Sequence, residues 1–311
     1  LRELNFNATV FEAGTDVGGT WYWNRYPGAR CDIESIEYSY SFSDELQQEW
    51  NWSARYATQP EILAYMNHVA DKFDLRKNIQ LETRVVSTKF DESTSRWDIT
   101  TNTGDKVNCQ FVIMATGSLS TPKKLDIEGL DNFKGDQLHT AYWPEKGYDF
   151  AGKRVGIIGT GSTAIQAIPI IAKQAKHLTV FQRTPNFSIP AWNYELSDEE
   201  RQKLKKDYKQ LRQNEWKSQI GIVRLPPRTE SALEVSEEER LKEFEARWNF
   251  GGISFYSSFP DLLMNEESNK LVAEFVRNKI RQKINDPKLA EILIPRGYPF
   301  GAKRLCADTN Y

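Results

Sequence analysis

Residues Arg154 to Asn186 read RVGIIGTGSTAIQAIPIIAKQAKHLTVFQRTPN, and this stretch decides the fold of the chain. Its apolar run Val155–Ile158 predicts a buried parallel strand, and the next six residues, GTGSTA, give G-x-G-x-x-A where a strand turns into a helix. Gly159 allows a tight turn, Gly161 lets the backbone approach a diphosphate, and Ala164 keeps helix and strand close. The stretch therefore predicts a diphosphate bound at a helix N-terminus.

The residue after the next strand indicates which dinucleotide binds. The run Leu178–Phe181 predicts that strand, and Arg183 lies about 20 residues past the glycine motif. An acidic residue at this place holds a ribose 2′-hydroxyl, whereas the forked donors of arginine match the oxygens of a 2′-phosphate. We therefore predict NADP and not NAD. The alternative is an ordinary βαβ unit with a surface arginine.

Composition narrows the class of protein. The 311 residues predict about two domains, and 39% hydrophobic residues, 27% charged residues and a net charge of −2 give no electrostatic case for nucleic acid as a partner. Cys31, Cys109 and Cys306 are widely spaced and form no CxxC, which fits a reducing, cytoplasmic compartment without disulfides or a metal site. The longest apolar region, 155–172, is interrupted by polar residues and proline, so we expect no membrane span.

The start of the chain indicates a second dinucleotide site. Thr9–Phe11 predicts a strand that ends at Glu12, where a carboxylate accepts a ribose hydroxyl in a dinucleotide fold. Such a fold requires a G-x-G-x-x-G motif upstream of Glu12, and the printed residues before it do not carry one. We therefore expect a fragment that lacks its first βα unit and that continues beyond Asn310-Tyr311.

The loop Gly18–Asp32 reads GGTWYWNRYPGARCD. Its glycine pair permits close backbone approach, and Trp21, Tyr22 and Trp23 offer flat faces suited to a ring cofactor. A purely structural aromatic cluster is the alternative reading of these three side chains.

The remaining patterns predict a β-meander and a group of helices. Strand-like runs occur at Gln80–Phe90, Trp97–Thr101 and Val107–Met114. Capping-box sequences begin at Ser197 and Ser236 and each opens an amphipathic helix, while further helices are predicted over Glu267–Lys283 and after Asp286. These helices predict an insertion in the NADP domain.

The most specific motif follows the meander. It is F-x-G-x-x-x-H-x-x-x-W-P, carried by Phe133, Gly135, His139, Trp143 and Pro144. Taken alone, a histidine among aromatic residues is more often a hydrogen-bonded structural residue than a catalyst. The whole motif resembles the fingerprint of flavin-dependent Baeyer–Villiger monooxygenases, and Gly18–Asp32 and Gly297–Arg304 resemble stretches of the cyclohexanone monooxygenase branch. The resemblance covers the printed chain from end to end.

This resemblance implies an α/β protein with two Rossmann-like dinucleotide-binding domains. They are an FAD-binding domain at 1–142, incomplete at its N-terminus and completed by residues after 311, and an NADP-binding domain at 143–311 with a helical insertion at about 190–292. The implied reaction uses NADPH, FAD and O2 to convert a small-molecule ketone to an ester or lactone, by Baeyer–Villiger oxygen insertion through a C4a-peroxyflavin. The identity of the ketone stays open.

The resemblance also implies roles for individual residues. Arg304 would supply a fixed cation for the negative charge of the reaction, and Asp32 would orient it; the alternatives are a structural salt bridge and a loop cap. His139 and Trp143 would couple domain motion to catalysis. The implied FAD contacts are Glu12, Gly18, Gly19, Thr20, Trp21, Asp32, Tyr38 and Val85. The implied NADP contacts are Arg30, Cys31, Asp32, Thr160, Gly161, Ser162, Thr163, Ala164, Ile165, Gln166, Arg183, Thr184, Lys303 and Arg304.

Two other functions remain compatible with these residues. A flavin-dependent oxygenase of amines or sulfides would use the same cofactors, and a catalytically incomplete NADP-binding fragment would keep only the second glycine motif. A disulfide reductase of similar fold is excluded, because the sequence has no paired cysteines of the kind that such enzymes require.

Overall fold

The computed structural model describes residues 1–123, 125–218, 221, 224–226 and 228–308. The chain forms two compact units. The first comprises 1–26 and 59–147, and the second comprises 27–58 and 148–311. Each unit is described by itself.

The described part of the first unit includes a short parallel pair, a β-meander and two α-helices. Strand β1 (Val10–Phe11) pairs with β2 (Ile79–Gln80), and the helices are α1 (Thr20–Trp23) and α3 (Gln59–Lys72). The meander consists of β3 (Val85–Asp91), β4 (Arg96–Thr101) and β5 (Lys106–Cys109), which pair in antiparallel order. The buried side chains Ile62, Tyr65 and Val69 lie on one side of α3, as the apolar periodicity of this helix requires.

The strand predicted over Val107–Met114 is wrong beyond Cys109. Trp97, close to the start of β4, pairs with Cys109, so β4 offers no ladder partners to the residues that follow. Phe111, Ile113 and Met114 are instead exposed and form no strand in the structure. Backbone with strand-like side chains stays irregular when no neighbouring strand satisfies its hydrogen bonds.

The second unit carries the strand–helix–strand element predicted from the opening motif. Strand β6 (Arg154–Ile158) pairs in parallel with β7 (His177–Phe181), and α4 (Ser162–Gln174) connects them. A second parallel pair joins β8 (Ser188–Pro190) to β9 (Cys306–Asp308). Helix α2 (Asp44–Glu49) belongs to the same unit. The α/β class is therefore confirmed.

The predicted helices after β8 are also present. They are α5 (Asp198–Lys217), α6 (Glu237–Phe250), α7 (Glu266–Lys283) and α8 (Pro287–Leu293). Ser197 and Ser236 form complete capping boxes, in which each serine accepts from a backbone N–H and a glutamate three residues later accepts from the serine N–H. The four helices lie in sequence between two strands that pair with each other, so they interrupt an α/β arrangement.

An aromatic core holds the helices of the second unit together. Phe244, Phe255, Phe259 and Phe275 are buried and contact one another, with ring centroids 5.2–6.1 Å apart. Within the described residues, no helix combines the length and apolar character needed to cross a membrane.

Candidate functional site

The loop between β6 and α4 has the geometry of an anion-binding turn. Gly159 has φ +106°, a conformation that favours glycine. Apart from its chain neighbours, no atom of the described residues lies within 4 Å of where its Cβ would be. Gly161 is the N-cap of α4 and supplies no side chain to the first N–H groups of the helix. These N–H groups and the helix dipole fit a diphosphate, since both favour negative charge at this end.

Two polar side chains that the sequence did not indicate hold this loop. Asn186 Nδ2 donates to the carbonyl of Thr160 at 2.8 Å, and the Thr160 hydroxyl donates to Gln182 Oε1 at 3.2 Å. Gln182 Nε2 in turn donates to the carbonyl of Ile292 at the end of α8. Strands β6 and β7 are parallel, so their C-terminal ends lie at the same edge of the pair. In a sequence read as strand, helix, strand, this adjacency could have pointed to the residues just after β7.

Arg183 lies at the same edge, two residues after β7. Its side chain is exposed and makes no ion pair or hydrogen bond with the part of the chain that the structure describes. The neighbouring Thr184 is partly buried. An exposed guanidinium at this edge fits the phosphate role predicted for it.

Asp32 and Arg304 form a two-pronged ion pair. Arg304 Nε donates to Oδ2 at 2.8 Å and Nη2 donates to Oδ1 at 2.6 Å. The Asp32 side chain is 16% exposed and the Arg304 side chain 59% exposed, so the carboxylate is the anchored partner. The hydrogen bonds with Asp32 raise the pKa of Arg304, because they favour the charged form of the guanidinium. The contact that the resemblance implied between these residues is therefore observed.

The segment before β9 brings this pair towards the glycine loop. Ser162 Oγ, in the first turn of α4, donates to Cys306 Sγ at 3.5 Å, and Cys306 lies two residues after Arg304. Lys303 Nζ stands 4.6 Å from the ring centroid of Tyr298, where the cation contacts the aromatic face. The structure thus places the predicted loop residues and the predicted cations of the NADP site in one unit.

The loop from Gly28 to Asp32 rests on helix α4. Gly28 has φ +78°, and a Cβ there would lie 2.3 Å from the carbonyl oxygen of Gln166. The buried Gln166 amide accepts from Arg30 N at 3.4 Å and donates to Arg30 O at 3.2 Å. Gln166 is therefore occupied in holding the Arg30 backbone, whereas the sequence predicted a cofactor contact for it, which stays a prediction.

Cys31 is buried beside Asp32. Its N–H donates to Ala57 O at 3.2 Å, and burial raises the pKa of its thiol from 9.0 to about 12. Cys306 is also a buried thiol, and burial raises its pKa too. Cys31, Cys109 and Cys306 are all free thiols in the structure.

The raised thiol pKa of Cys31 predicts a loss of stability in alkali. Between pH 9 and about 12 the folded protein keeps this proton and the unfolded chain releases it, so the free energy of unfolding falls as pH rises through this window. The contribution of one such group is at most about 1.4 kcal/mol per pH unit. Urea titrations between pH 8 and 11 should show a shallower decline for Cys31→Ala than for the parent. Cys109→Ala, which removes a less buried thiol, is the matched control; identical slopes for Cys31→Ala and the parent would contradict the assignment.

Tyr38 lies in a loop that an arginine holds from helix α5. Arg212 donates to the carbonyls of Ile36, Glu37 and Ser39 at 3.0–3.3 Å, and its ion pair with Glu215 is 2.8 Å long. Tyr38 itself is 36% exposed. Arg212 fixes the backbone on both sides of Tyr38, a role that no local sequence pattern indicated.

The first unit holds the other residues predicted to contact FAD. Glu12 follows β1, and its Oε1 accepts from Gly14 N at 2.7 Å, which leaves Oε2 to accept from a hydroxyl. Gly18 and Gly19 have φ +124° and +51°, and open space surrounds the Cβ position of Gly19. Thr20 and Trp21 begin α1, and Trp21 is buried. Val85 begins β3 and is 38% exposed. This carboxylate and the open glycine turn fit a dinucleotide.

The fingerprint residues also lie in the first unit. Phe133 is 61% exposed, and its ring lies beneath Gly135, where a Cβ would approach it to 2.7 Å. His139 Nδ1 accepts from Ala141 N at 3.2 Å and caps a single turn of 3-10 helix over Thr140–Tyr142. The next residues, Trp143 and Pro144, are buried and half-buried. His139 is thus a hydrogen-bonded capping residue in this structure.

Comparison with known proteins gives consistent matches. A family model described as pyridine nucleotide-disulphide oxidoreductase matches residues 26–242. The chain is 46% identical over 319 residues to 2-oxo-Delta(3)-4,5,5-trimethylcyclopentenylacetyl-CoA monooxygenase of Pseudomonas putida, covering 100% of the chain and 58% of that protein. It is 40% identical over 312 residues to a Baeyer-Villiger monooxygenase of Pseudooceanicola batsensis, covering 100% of the chain and 57% of that protein.

A solved structure agrees with these relatives. The crystal structure of OTEMO in complex with FAD and NADP superposes with a TM-score of 0.94 at 43% identity, covering 99% of the chain and 59% of that structure. The chain thus spans between half and two thirds of the length of the proteins it matches. The resemblance predicted from the three motifs is confirmed.

Proposed function

The chain belongs to the pyridine nucleotide-disulphide oxidoreductase family, and from this premise we propose that it acts in an NADPH- and FAD-dependent Baeyer–Villiger monooxygenase. The reaction inserts one oxygen atom of O2 next to the carbonyl of a small-molecule ketone and gives an ester or lactone. Support comes from the fingerprint Phe133–Pro144 and from the similarity to a Baeyer-Villiger monooxygenase over the whole printed chain.

The observation that carries this proposal is the Asp32–Arg304 pair. Oxygen insertion develops negative charge on oxygen atoms, and a fixed cation with forked donors stabilises such charge. Arg304 uses two donor groups on Asp32 and keeps Nη1, which has no partner within the described residues. Arg304 therefore stabilises charge on oxygen, and Asp32 holds its orientation.

Each cofactor has residues that would hold it. In the second unit the loop 160–166 would hold the diphosphate of NADP, Arg183 and Thr184 would bind its 2′-phosphate, and Lys303 and the backbone of 30–32 would contribute further contacts. In the first unit Glu12 would accept a hydrogen bond from a ribose hydroxyl of FAD, and 18–21 and Val85 would contribute further contacts with FAD. When bound, NADPH supplies a hydride and FAD supplies the activated oxygen. The contact of Tyr38 with FAD and the domain limits 1–142 and 143–311 are part of this proposal.

Partners and location follow from the same reading. The proposed partners are a ketone and O2, without nucleic acid or membrane, since a net charge of −2 gives no electrostatic case for a polyanionic partner. A cytoplasmic location fits the three cysteines, which form no disulfide within the described residues.

Replacing His139 by alanine is expected to lower turnover by several-fold without loss of bound FAD. The substitution removes the cap of the turn before Trp143, and a lost helix cap costs about 1 kcal/mol of local stability. NADPH consumption with a ketone and the flavin absorbance of the purified full-length protein measure the two quantities. His177→Ala is the control, because His177 lies on β7 and its exposed side chain is within hydrogen-bond distance of the Thr179 hydroxyl. Loss of flavin from the His139 variant would contradict a role in motion.

Product analysis tests the function itself. The full-length natural protein, purified with its flavin, is incubated with NADPH, O2 and either cyclohexanone or a tertiary amine. We expect a lactone in proportion to the NADPH consumed. An N-oxide without lactone would support the heteroatom oxygenase instead, and a preparation that binds NADP+ but shows no flavin spectrum would support a role limited to NADP binding.

A further inference from the structure

We propose that Arg55 and Glu34 form a buried clamp that fixes the backbone of residues 31–35 and so holds Asp32 in place for Arg304. Both are positioning residues, and neither contacts a reacting atom. The catalytic consequence of this clamp rests on the proposed function, whereas its structural role does not. Every residue of the Arg55–Glu34 clamp and of the pair it serves lies in the second unit.

The ion pair at the centre of the clamp is buried. Arg55 Nε and Nη2 donate to Glu34 Oε1 at 3.0 Å and 2.7 Å, and the two side chains are 7% and 8% exposed. A buried charge requires a charged or hydrogen-bonded partner, because its removal from water otherwise costs several kcal/mol. Glu34 and Arg55 therefore hold each other in place.

The other donors of Arg55 reach two further elements. Nη1 donates to Phe250 O at 2.6 Å and to Ala191 O at 3.4 Å, and Nη2 donates to Gly251 O at 3.4 Å. Phe250 ends α6, so the guanidinium lies against the negative end of that helix dipole. With the two bonds to Glu34, all five N–H groups of Arg55 are used. The Arg55 guanidinium is thus held in place by backbone carbonyls outside residues 31–35.

A second arginine completes the charge balance at Glu34. Arg224 Nε lies 3.0 Å from Glu34 Oε2 but does not point its N–H at this oxygen, so the two groups form an ion pair without a hydrogen bond. A cavity of about 10 Å³ next to them is lined by Asp32, Glu34, Glu37 and Arg224, among other residues. Glu34 thus has one cation on each oxygen.

Hydrogen bonds between backbone groups connect the Arg55–Glu34 clamp to the segment that contains Asp32. Ser35 N donates to Arg55 O at 2.8 Å, and Cys31 N donates to Ala57 O at 3.2 Å, so 31–35 runs antiparallel to 55–57. Ser35 Oγ also donates to Arg55 O and accepts from Ala57 N. Asp32 lies between these two attachment points. Its backbone can therefore move only if the ribbon opens.

Asp32 needs this support because its partner is weakly held. Arg304 is 59% exposed, whereas Asp32 is 16% exposed, so the guanidinium takes its orientation from the carboxylate. A two-pronged contact loses alignment when one partner moves by about 0.5 Å. Loosening of the ribbon would therefore misplace the cation even though both of its residues remain.

Cysteine labelling tests the clamp without any activity. Arg55→Lys keeps the charge and removes the fork, and Glu34→Gln keeps the shape and removes the charge. The rate at which an alkylating reagent modifies each thiol of the full-length natural protein is followed by mass spectrometry. We expect Cys31 to react about tenfold faster in either variant, while Cys306, buried on β9, keeps its rate within about twofold.

Arg247→Lys is the matched control. Arg247 is 3% exposed, pairs with Glu243 and donates to the carbonyls of Leu225, Pro226 and Ser254. Within the described residues, no hydrogen bond or ion pair links its side chain to 31–35. Faster labelling of Cys31 in this control, or equal acceleration at Cys31 and Cys306 in the clamp variants, would show general destabilisation and overturn the proposal. Unchanged labelling in both clamp variants would overturn it as well.

A second arm measures the catalytic consequence. In the full-length protein, NADPH oxidation that reduces O2 to hydrogen peroxide competes with NADPH oxidation that gives ester. The share that ends in hydrogen peroxide should rise several-fold in both clamp variants at unchanged flavin content. An unchanged fraction in variants whose Cys31 labelling has increased would overturn the positioning role. Absence of ester from the parent protein would instead refute the proposed function and leave the labelling result to decide the clamp.

Discussion

Replacing Arg304 by alanine is expected to lower ester formation by at least about a hundredfold while the reduction of flavin by NADPH persists. The guanidinium is the exposed member of the pair with Asp32, and arginine stays protonated at neutral pH, so it supplies a permanent positive charge. Removal of this cation leaves the developing oxyanion without its stabilising partner. Anaerobic stopped-flow absorbance measures flavin reduction, and gas chromatography measures the ester.

Two further variants separate charge from geometry. Arg304→Lys keeps a cation but loses the fork that matches the Asp32 carboxylate, so we expect an intermediate loss. Arg296→Ala removes an exposed arginine that pairs with Glu291 near the end of α8, and it should leave ester formation unchanged. Ester formed by Arg304→Ala at the parental rate would exclude Arg304 from the chemistry.

Local patterns predicted the parts of the fold that short-range physics decides. The turn from β6 into α4 follows from the glycines at 159 and 161, and both predicted capping boxes form at Ser197 and Ser236. These features depend on residues within one or two turns of each other. The same reasoning failed for 110–114, because a strand also requires a partner, and the partner is not encoded in the run itself.

The supports of the site were beyond sequence analysis for a related reason. Glu34 and Arg55 are 21 positions apart, and Arg212 contacts carbonyls more than 170 positions away. Charged residues so far apart in the sequence form no periodic pattern, and composition alone predicts that they lie on a solvated surface. Only the folded chain shows that Arg55 and Glu34 are buried.

The contact between Asp32 and Arg304 was only partly predictable from the sequence. Their separation of 272 residues gives no local signal, and only the resemblance of two distant motifs implied that they meet. The structure adds the unequal exposure of the two side chains, from which the dependence of Arg304 on the loop around Asp32 follows. The structure also shows that the Gln166 side chain hydrogen-bonds the Arg30 backbone, which the glycine motif did not suggest.

Replacing Arg183 by alanine is expected to weaken NADP+ binding by about tenfold to a hundredfold and to leave NAD+ binding nearly unchanged. A charge-assisted hydrogen bond contributes about 1.5–3 kcal/mol, and each 1.4 kcal/mol is a factor of ten. Arg183 has no partner within the described residues, so its substitution breaks no internal contact and should leave the thermal midpoint unchanged. Calorimetric titration with the two nucleotides gives both affinities.

Arg154→Ala is the matched control for this effect, because it removes the same charge from the opposite end of the same parallel pair. Arg154 begins β6, and five residues at about 3.3 Å each separate it from the edge where the glycine loop and Arg183 lie. Long-range attraction alone would weaken NADP+ binding in both variants, and this loss would fade in salt. A direct contact with the 2′-phosphate instead predicts loss in Arg183→Ala only. Equal weakening of NADP+ and NAD+ binding by Arg183→Ala would show that Arg183 interacts with the diphosphate, which both nucleotides contain, and not with the 2′-phosphate.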